Sequence, residues 1–530
     1  MPIARSLPLA YRCALSRAAR RLLPTVCLLI LLAGCGTQAP APIITPLPNE
    51  TAPTLPAPAT ADVSPAPAYT DTPRPESTPA PAATPTPTAT PVLAPLDLVR
   101  RFSTDGAMVH IRELSSAHYA GRRAGTPGGA AAADYIATEF ARLGLIPAGD
   151  SGTYLQSFSF PFVDLAAAPE LAILPGSGVT PTAYSHMQDF REVITGHAGA
   201  GRADAEVVYL AGGYDSDYAS LEVEGRIVLL DAARRTGTTL PAIEMAITRG
   251  AAGVLVLAVD DESVRMRPSY RQPVTDTVRP VFFVNHRVAA ALAAASGATL
   301  DEKPRALAVR VHMSVTLQPA RMAQTDNVLG LWPGADPALK DKYLLIGGHY
   351  DQVGQSPSGL LFPGAGDNAS GIGAMLALAQ SWHATGYRPR MSVLFVAWSA
   401  GEAGELGSQY YAAHPARPLH DTVAFLNLDA PGAVGSGGLA AGYGDQGLAT
   451  QLVSFAHALG EPLAIERAGA GDYASFGAVG VPAVLLSAAG TNGSLHHPDD
   501  TPERVDRENL ALAGQVAWLT VLHFSGTWPP

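Results

Sequence analysis

The sequence predicts an α/β protein whose main domain is a mixed, largely parallel twisted sheet with helices on both faces. Two observations carry this prediction. After Gln318 come four apolar runs, at residues 343–346, 391–398, 424–428 and 481–486, and helical patterns separate the first three. Runs that are apolar on both faces and alternate with helices belong to buried parallel strands covered on both sides. The second observation is where the chemically distinctive side chains fall. His349 follows the first run, Glu402 the second and Asp429 the third, and open α/β sheets bind ligands beyond the carboxyl ends of their strands.

At 530 residues the chain exceeds what one hydrophobic core usually supports, so more than one domain is expected. The formal charge is −11, but Arg5, Arg12, Arg17, Arg20 and Arg21 all lie in the first 35 residues with no acid among them. Discounting them leaves 30 basic groups against 46 acidic ones, a net −16. Nucleic acid is therefore excluded as an expected partner, because neutralising phosphates needs clustered basic charge. All three cysteines, Cys13, Cys27 and Cys35, sit in the same N-terminal piece. Any metal bound by the remainder must be held by histidine and carboxylate rather than thiolate.

The N-terminus has an arginine-bearing stretch and then an apolar run at 22–33, too short for a hydrocarbon core that needs about 20 residues. It reads as a secretion signal at 1–35. Leu32-Ala33-Gly34-Cys35 resembles the lipobox of bacterial lipoproteins, which implies cleavage before Cys35, lipidation of that cysteine and an extracytoplasmic, membrane-anchored location at the cell surface or in the periplasm. Residues 36–95 hold 17 prolines among alanine and threonine with few charges. Such a segment cannot offset its ordering entropy by burial and is expected to be a disordered tether, reaching roughly 190 Å when extended at about 3.1 Å per residue.

Globular patterning starts at Leu96. Ile136, Phe140 and Leu143 mark one face of a helix ending at Gly144, preceded by a glycine-rich segment at 120–129. Between 165 and 318 the texture changes to short strands, at 206–210, 226–230, 253–258 and 281–284, with no catalytic grouping. The stretches 223–230 and 243–256 resemble the protease-associated domain, a small α/β module commonly inserted in secreted peptidases.

The stretch Gly364-Ala365-Gly366-Asp367-Asn368-Ala369-Ser370-Gly371 places a carboxylate among small residues just before a helical pattern through Met375, Leu378, Ala379 and Trp382. Small residues let backbone pass close to a bound ion, and Ser370 is the expected helix cap. His496 follows the fourth apolar run by about ten residues. A histidine or aspartate at a strand end is by itself an ordinary polar group. Jointly, His349, Asp367, Glu402, Asp429 and His496 make a suitable shell for two zinc ions with one bridging carboxylate.

Gly348-His349-Tyr350-Asp351, residues 364–371, residues 395–408, Asn427-Leu428-Asp429 and 496–501 resemble the successive blocks of the dizinc aminopeptidase family, metallopeptidase family twenty-eight. Gly121-Arg122-Arg123-Ala124-Gly125-Thr126 resembles its N-terminal signature. The resemblance implies a zinc exopeptidase fold at 96–164 and 319–530, interrupted by the protease-associated insert at 165–318. It implies two zinc ions held by His349, Asp367, Glu402, Asp429 and His496, with Asp367 as the bridge. Asp351 takes the place of the acid that orients the first histidine, and Asp500 matches the acid of the closing histidine block. The implied activity is removal of N-terminal residues from peptides outside the cytoplasm.

The chain departs from the family at two places. Members carry Glu-Glu before x-Gly-Leu-x-Gly-Ser, the first as general base and the second as ligand. Counting back from Gly407-Ser408, the ligand position is Glu402 and the base position is Gly401, which cannot accept a proton. Sliding the alignment by one makes Glu402 the base but puts Ala403 at the ligand position. Glu405, three residues beyond Glu402, is the side chain expected to reach the metal-bound water. Leu495 stands where some members have a hydrogen-bonding tyrosine. Gly401 also motivates a rival reading, a peptide-binding or surface-scaffold protein that keeps the fold without catalysis.

Overall fold

The computed structural model describes residues 94–528, apart from 175–179, 220, 272–277, 436, 468–469 and 491–494. The secretion-signal segment, Cys35 and nearly all of the proline-rich segment lie outside the described residues. No helix of the described residues is long and apolar enough to cross a membrane.

The main sheet has nine strands among the described residues. At its centre Tyr343–His349 runs parallel to Ser392–Trp398 on one side and Thr422–Leu428 on the other, and Ala483–Ala488 continues the parallel set. Arg321–Trp332 adds antiparallel to Ser392–Trp398, and Leu439–Tyr443 adds antiparallel to Ala483–Ala488, which makes the sheet mixed as predicted. Successive side chains of a strand face opposite sides. Leu344, Ile346, Val393, Phe395 and Leu426 therefore join one core, under the helices Ser370–Thr385 and Arg507–Phe524. Leu345, Leu394, Val396 and Phe425 join another on the opposite face, with Tyr411 and Phe476. Both faces are covered, which is why these strands read as unbroken apolar runs.

The helix read from Ile136, Phe140 and Leu143 spans Pro127–Arg142, with Thr126 as its cap, and the chain turns at Gly144 with φ of +78°. The expected cap of the next site-bearing helix is different from the one found. Ser370 donates to the carbonyl of Gly366 (2.6 Å) and accepts from the amide of Gly432 (3.0 Å). Asn368 Oδ1 takes the Gly371 amide instead (3.0 Å), since the preceding turn aims Asn368 inward.

Among the described residues, the stretch 170–315 holds a second sheet of eight strands with its own apolar cores. Its centre, Gly201–Tyr209, Ile227–Asp231, Gly253–Leu257 and Val281–Val284, is parallel. The run read at 206–210 begins earlier, at Gly201, because its first half alternates exposed and buried residues and shows no apolar run. Arg305–Val315, Leu155–Phe162 and Arg321–Trp332 alternate in the same way over much of their length and escaped a reading based on continuous runs. The chain enters this lobe after Leu155–Phe162 and leaves it before Arg321–Trp332. Those two strands pair antiparallel, so entry and exit lie side by side.

Candidate metal centre

All five side chains singled out from the sequence meet at the carboxyl edge of the central strands. His349 ends its strand, Asp367 lies in the turn before Ser370–Thr385, and Glu402 and Asp429 follow Ser392–Trp398 and Thr422–Leu428. His349 Nε2 lies 3.5 Å from Asp367 Oδ1 and 3.4 Å from Asp429 Oδ1. His496 Nε2 lies 3.2 Å from Asp367 Oδ2 and 3.0 Å from Glu402 Oε1. The donors thus form two groups, His349 with Asp367 and Asp429, and Asp367 with Glu402 and His496, sharing only Asp367. With zinc–ligand bonds of about 2.0–2.1 Å, the edge of a tetrahedral shell is roughly 3.3 Å. The four donor separations bracket that value, so the residues fit a pair of zinc ions with one carboxylate oxygen of Asp367 facing each.

The charge balance points the same way. Burial pulls the His349 imidazolium down, yet Asp429 and its neighbours more than offset this and hold it well above the usual histidine range. His496 is raised by Glu402 and Asp367 against the same burial. Burial pushes Asp367 up, and the hydrogen bond and charge of His496 bring it down to about 2. A buried cluster dominated by carboxylates needs cations to be stable, whether protons on histidine or metal.

The turn carrying Asp367 is held from four sides. Gly364 has φ of +59°, and a Cβ there would lie 2.3 Å from the Asp367 carbonyl oxygen, so glycine is required. Arg122, 0% exposed, donates to the carbonyls of Tyr350 (2.7 Å), Pro363 (2.5 Å) and Gly364 (2.6 Å), which gives the arginine of the N-terminal glycine-rich segment its physical reason. Asp500 accepts the amides of Gly366 (2.8 Å) and Asp367 (3.1 Å), with burial lifting its carboxyl to about 6. Gln352 Nε2 donates to Asp367 Oδ2 (3.1 Å). Asn368 donates to the carbonyls of His349 (3.0 Å) and Leu428 (2.9 Å), tying together the segments that carry three of the five donors.

Asp351 does two jobs. Its carbonyl oxygen lies 3.2 Å from His349 Nδ1, closer than its carboxylate at 3.7 Å. The carboxylate accepts the amides of Gly401 (2.8 Å) and Glu402 (3.3 Å), so the acid expected to orient the histidine also sets the backbone beneath Glu402.

Gly401 is tightly enclosed. A Cβ built there would lie 2.4 Å from His349 Cβ and 2.5 Å from its Cγ, so the backbone as it stands has no room for a side chain. Glu405 and Leu495 line the same cavity as the five donors, a space of about 180 Å³. Burial pushes the Glu405 carboxyl up, with Arg271 opposing it.

Asp472 also lines this cavity, and the sequence reading missed it. It is 1% exposed, and the Ser408 hydroxyl is the hydrogen-bonding group that favours its charged form. It opens a short helix, Tyr473–Gly477, far in sequence from any apolar run end, so nothing local marks it as buried. Burial raises its carboxyl from 3.8 to about 7, with His349 pulling the other way. Since the folded value is the higher one, the folded state holds the extra proton, and stability falls as pH rises from about 4 to about 7. The cost above that window is on the order of 4 kcal/mol. In chelator-treated protein, Asp472→Asn is therefore expected to raise Tm clearly at pH 8 and to leave it nearly unchanged at pH 4. Calorimetry at the two pH values checks this, and an equal shift at both would count against it.

The twisted α/β sheet thus carries two histidines and three carboxylates together at its carboxyl edge. Residues 327–521 match the model of Peptidase family M28. Among solved structures, the aminopeptidase from Aneurinibacillus sp. strain AM-1 aligns with a TM-score of 0.60 at 22% identity, covering 81% of this chain and 96% of that one. BSAP, a zinc aminopeptidase from Bacillus subtilis, aligns with a TM-score of 0.58 at 19% identity, covering 80% of this chain and 95% of that one. These likenesses establish the fold. Leupeptin-inactivating enzyme 1 of Streptomyces exfoliatus is 34% identical over 160 residues, which is 29% of this chain and 34% of that protein. The probable lipoprotein aminopeptidase LpqL of Mycobacterium tuberculosis is 28% identical over 320 residues, 59% of this chain and 56% of that protein. The aligned regions thus span from a third to just over half the length of these two relatives.

Proposed function

We propose that this chain is a zinc-dependent exopeptidase of the aminopeptidase type that removes N-terminal residues from peptides outside the cytoplasm. The observation that carries the reading is the pair of three-donor groups sharing Asp367. Two zinc ions, when bound, would polarise the scissile carbonyl and bring the pKa of a bound water toward neutrality. His349 and Asp429 serve one half of the centre, Glu402 and His496 the other, and Asp367 both. Asp351 and Asp500 hold the backbone of the Glu402 and Asp367 segments. Asp367 and Glu402 would hold the free amine of a peptide. With Gly401 at the base position, we assign Glu405, three residues beyond Glu402 and on the cavity wall beside Asp472, to take the proton from the attacking water. Leu495 offers no hydroxyl to the developing oxyanion, which lowers the expected rate by about 10²–10³ relative to a site with a donor there.

The test is zinc content per chain together with hydrolysis of aminoacyl p-nitroanilides by the purified protein. Two zinc ions and release from free N-termini are expected. Metal-free protein would sink the reading, whereas two zinc ions without turnover would favour the scaffold reading motivated by Gly401.

The extracytoplasmic, lipid-anchored location rests on the lipobox-like Leu32-Ala33-Gly34-Cys35 and is in keeping with a relative named as a lipoprotein. In a bacterial host, the full chain is expected to partition into the detergent phase and the Cys35→Ser variant into the aqueous phase. Equal partitioning of the two would rule out the anchor. Residues 165–318 are proposed to form the protease-associated insert.

A further inference from the structure

Residues 265–271 belong to the second lobe, yet they run along the rim of the metal centre. Ser269 Oγ donates to Glu402 Oε2 (2.8 Å), while Glu402 Oε1 faces His496 Nε2 (3.0 Å). Two residues earlier, the Arg267 amide donates to the carbonyl of His496 (2.9 Å). One strap of the lobe therefore touches both donors that are confined to one half of the centre. Among the described residues, His349 and Asp429, in the other half, make no hydrogen bond to it.

The strap is itself firmly held. Arg267, 2% exposed, donates through its guanidinium to the carbonyls of Val353 (2.7 Å) and Gln355 (2.6 Å) and pairs with Asp164 (2.8 Å). The Tyr270 ring receives the guanidiniums of Arg123 and Arg267 at 5.1 and 5.2 Å from its centroid. Its hydroxyl donates to the buried Glu192, whose other oxygen pairs with His186 Nε2. Cation–π contacts and charge-assisted hydrogen bonds of this kind hold a segment in one geometry. Ser269 thus reaches Glu402 from a fixed platform.

We infer that the second lobe completes the metal centre: Ser269 is a positioning residue that holds Glu402 Oε2 and leaves Oε1 as the donor for the half shared with His496. The inference rests on the two-zinc reading. A glutamate has two equivalent oxygens on a rotatable group, and a hydroxyl that engages one of them selects the rotamer and the donor oxygen. His496 is a non-glycine residue at φ of 55°, and the Arg267 amide on its carbonyl helps keep it there. Loss of such a hydrogen-bonded partner typically costs about 10–100-fold in metal affinity.

The experiment is competition titration of zinc against a chromogenic chelator with the full protein, its Ser269→Ala variant and its Ser269→Thr variant, alongside visible spectra of the cobalt-substituted forms. Ser269→Ala should weaken one of two binding events by about 10–100-fold and leave the other unchanged. Ser269→Thr, which keeps the hydroxyl, should restore it. In the cobalt forms, Ser269→Ala should alter the bands of one ion only. Two events untouched by Ser269→Ala, both weakened equally, or a threonine variant no better than alanine would each overturn the inference while leaving the two-zinc reading in place. A parent protein that binds fewer than two ions would overturn the two-zinc reading and this inference with it.

Discussion

Replacing Asp367 with alanine is expected to empty both halves of the metal centre at once and to lower hydrolysis by at least about 10³-fold. Its two carboxylate oxygens face different histidines, Oδ1 toward His349 and Oδ2 toward His496. Every other donor serves one half only. Asp429→Ala should accordingly remove one zinc ion and leave the half built on Glu402 and His496 able to bind. Elemental analysis of the two variants beside the parent separates the cases. Two zinc ions retained by Asp367→Ala would show that this carboxylate does not bridge.

The second large effect is expected at Gly401. Restoring a glutamate there looks like the repair of a missing base, but a Cβ at this position would lie 2.4 Å from His349 Cβ. His349 cannot readily give way, because its ring is held between the Asp351 carbonyl on one side and Asp367 and Asp429 on the other. Overpacking of this kind typically costs about 1–3 kcal/mol. Gly401→Ala is therefore expected to lower Tm and weaken zinc binding in the His349 half, and Gly401→Glu to do the same without gaining turnover. Thermal unfolding, zinc titration and kcat of the two variants check this. A marked rise in kcat for Gly401→Glu would mean that the backbone yields at little cost and that a decayed base position explains any weak activity.

The parts of the site that were legible in the sequence are those marked by local pattern. His349, Glu402 and Asp429 each follow an apolar run, and a run that is apolar on both faces already says that its strand is covered on both sides and where it ends. Asp367 was visible through the small residues around it. Half-exposed strands such as Leu155–Phe162 were not, since alternation over eight residues is a weaker signal than an unbroken run. The cap of Ser370–Thr385 was misassigned for a related reason. A serine next to a helix start is a generic candidate, and only the packed turn reveals that Asn368 points at the Gly371 amide while Ser370 is engaged elsewhere.

By itself the sequence determined the donor chemistry: histidine and carboxylate with no cysteine beyond Cys35, placed at the ends of buried strands in an acidic chain. Residue type, strand direction and net charge are properties of short stretches and can be read from them. Only the tertiary structure decided that Asp367 faces two histidines, that Ser269 reaches Glu402 across 133 positions of chain, that Gly401 has no room beside His349, and that Asp472 is buried. Each of these depends on which distant segments exclude water from one another, and that is set by how the chain closes on itself rather than by any local pattern.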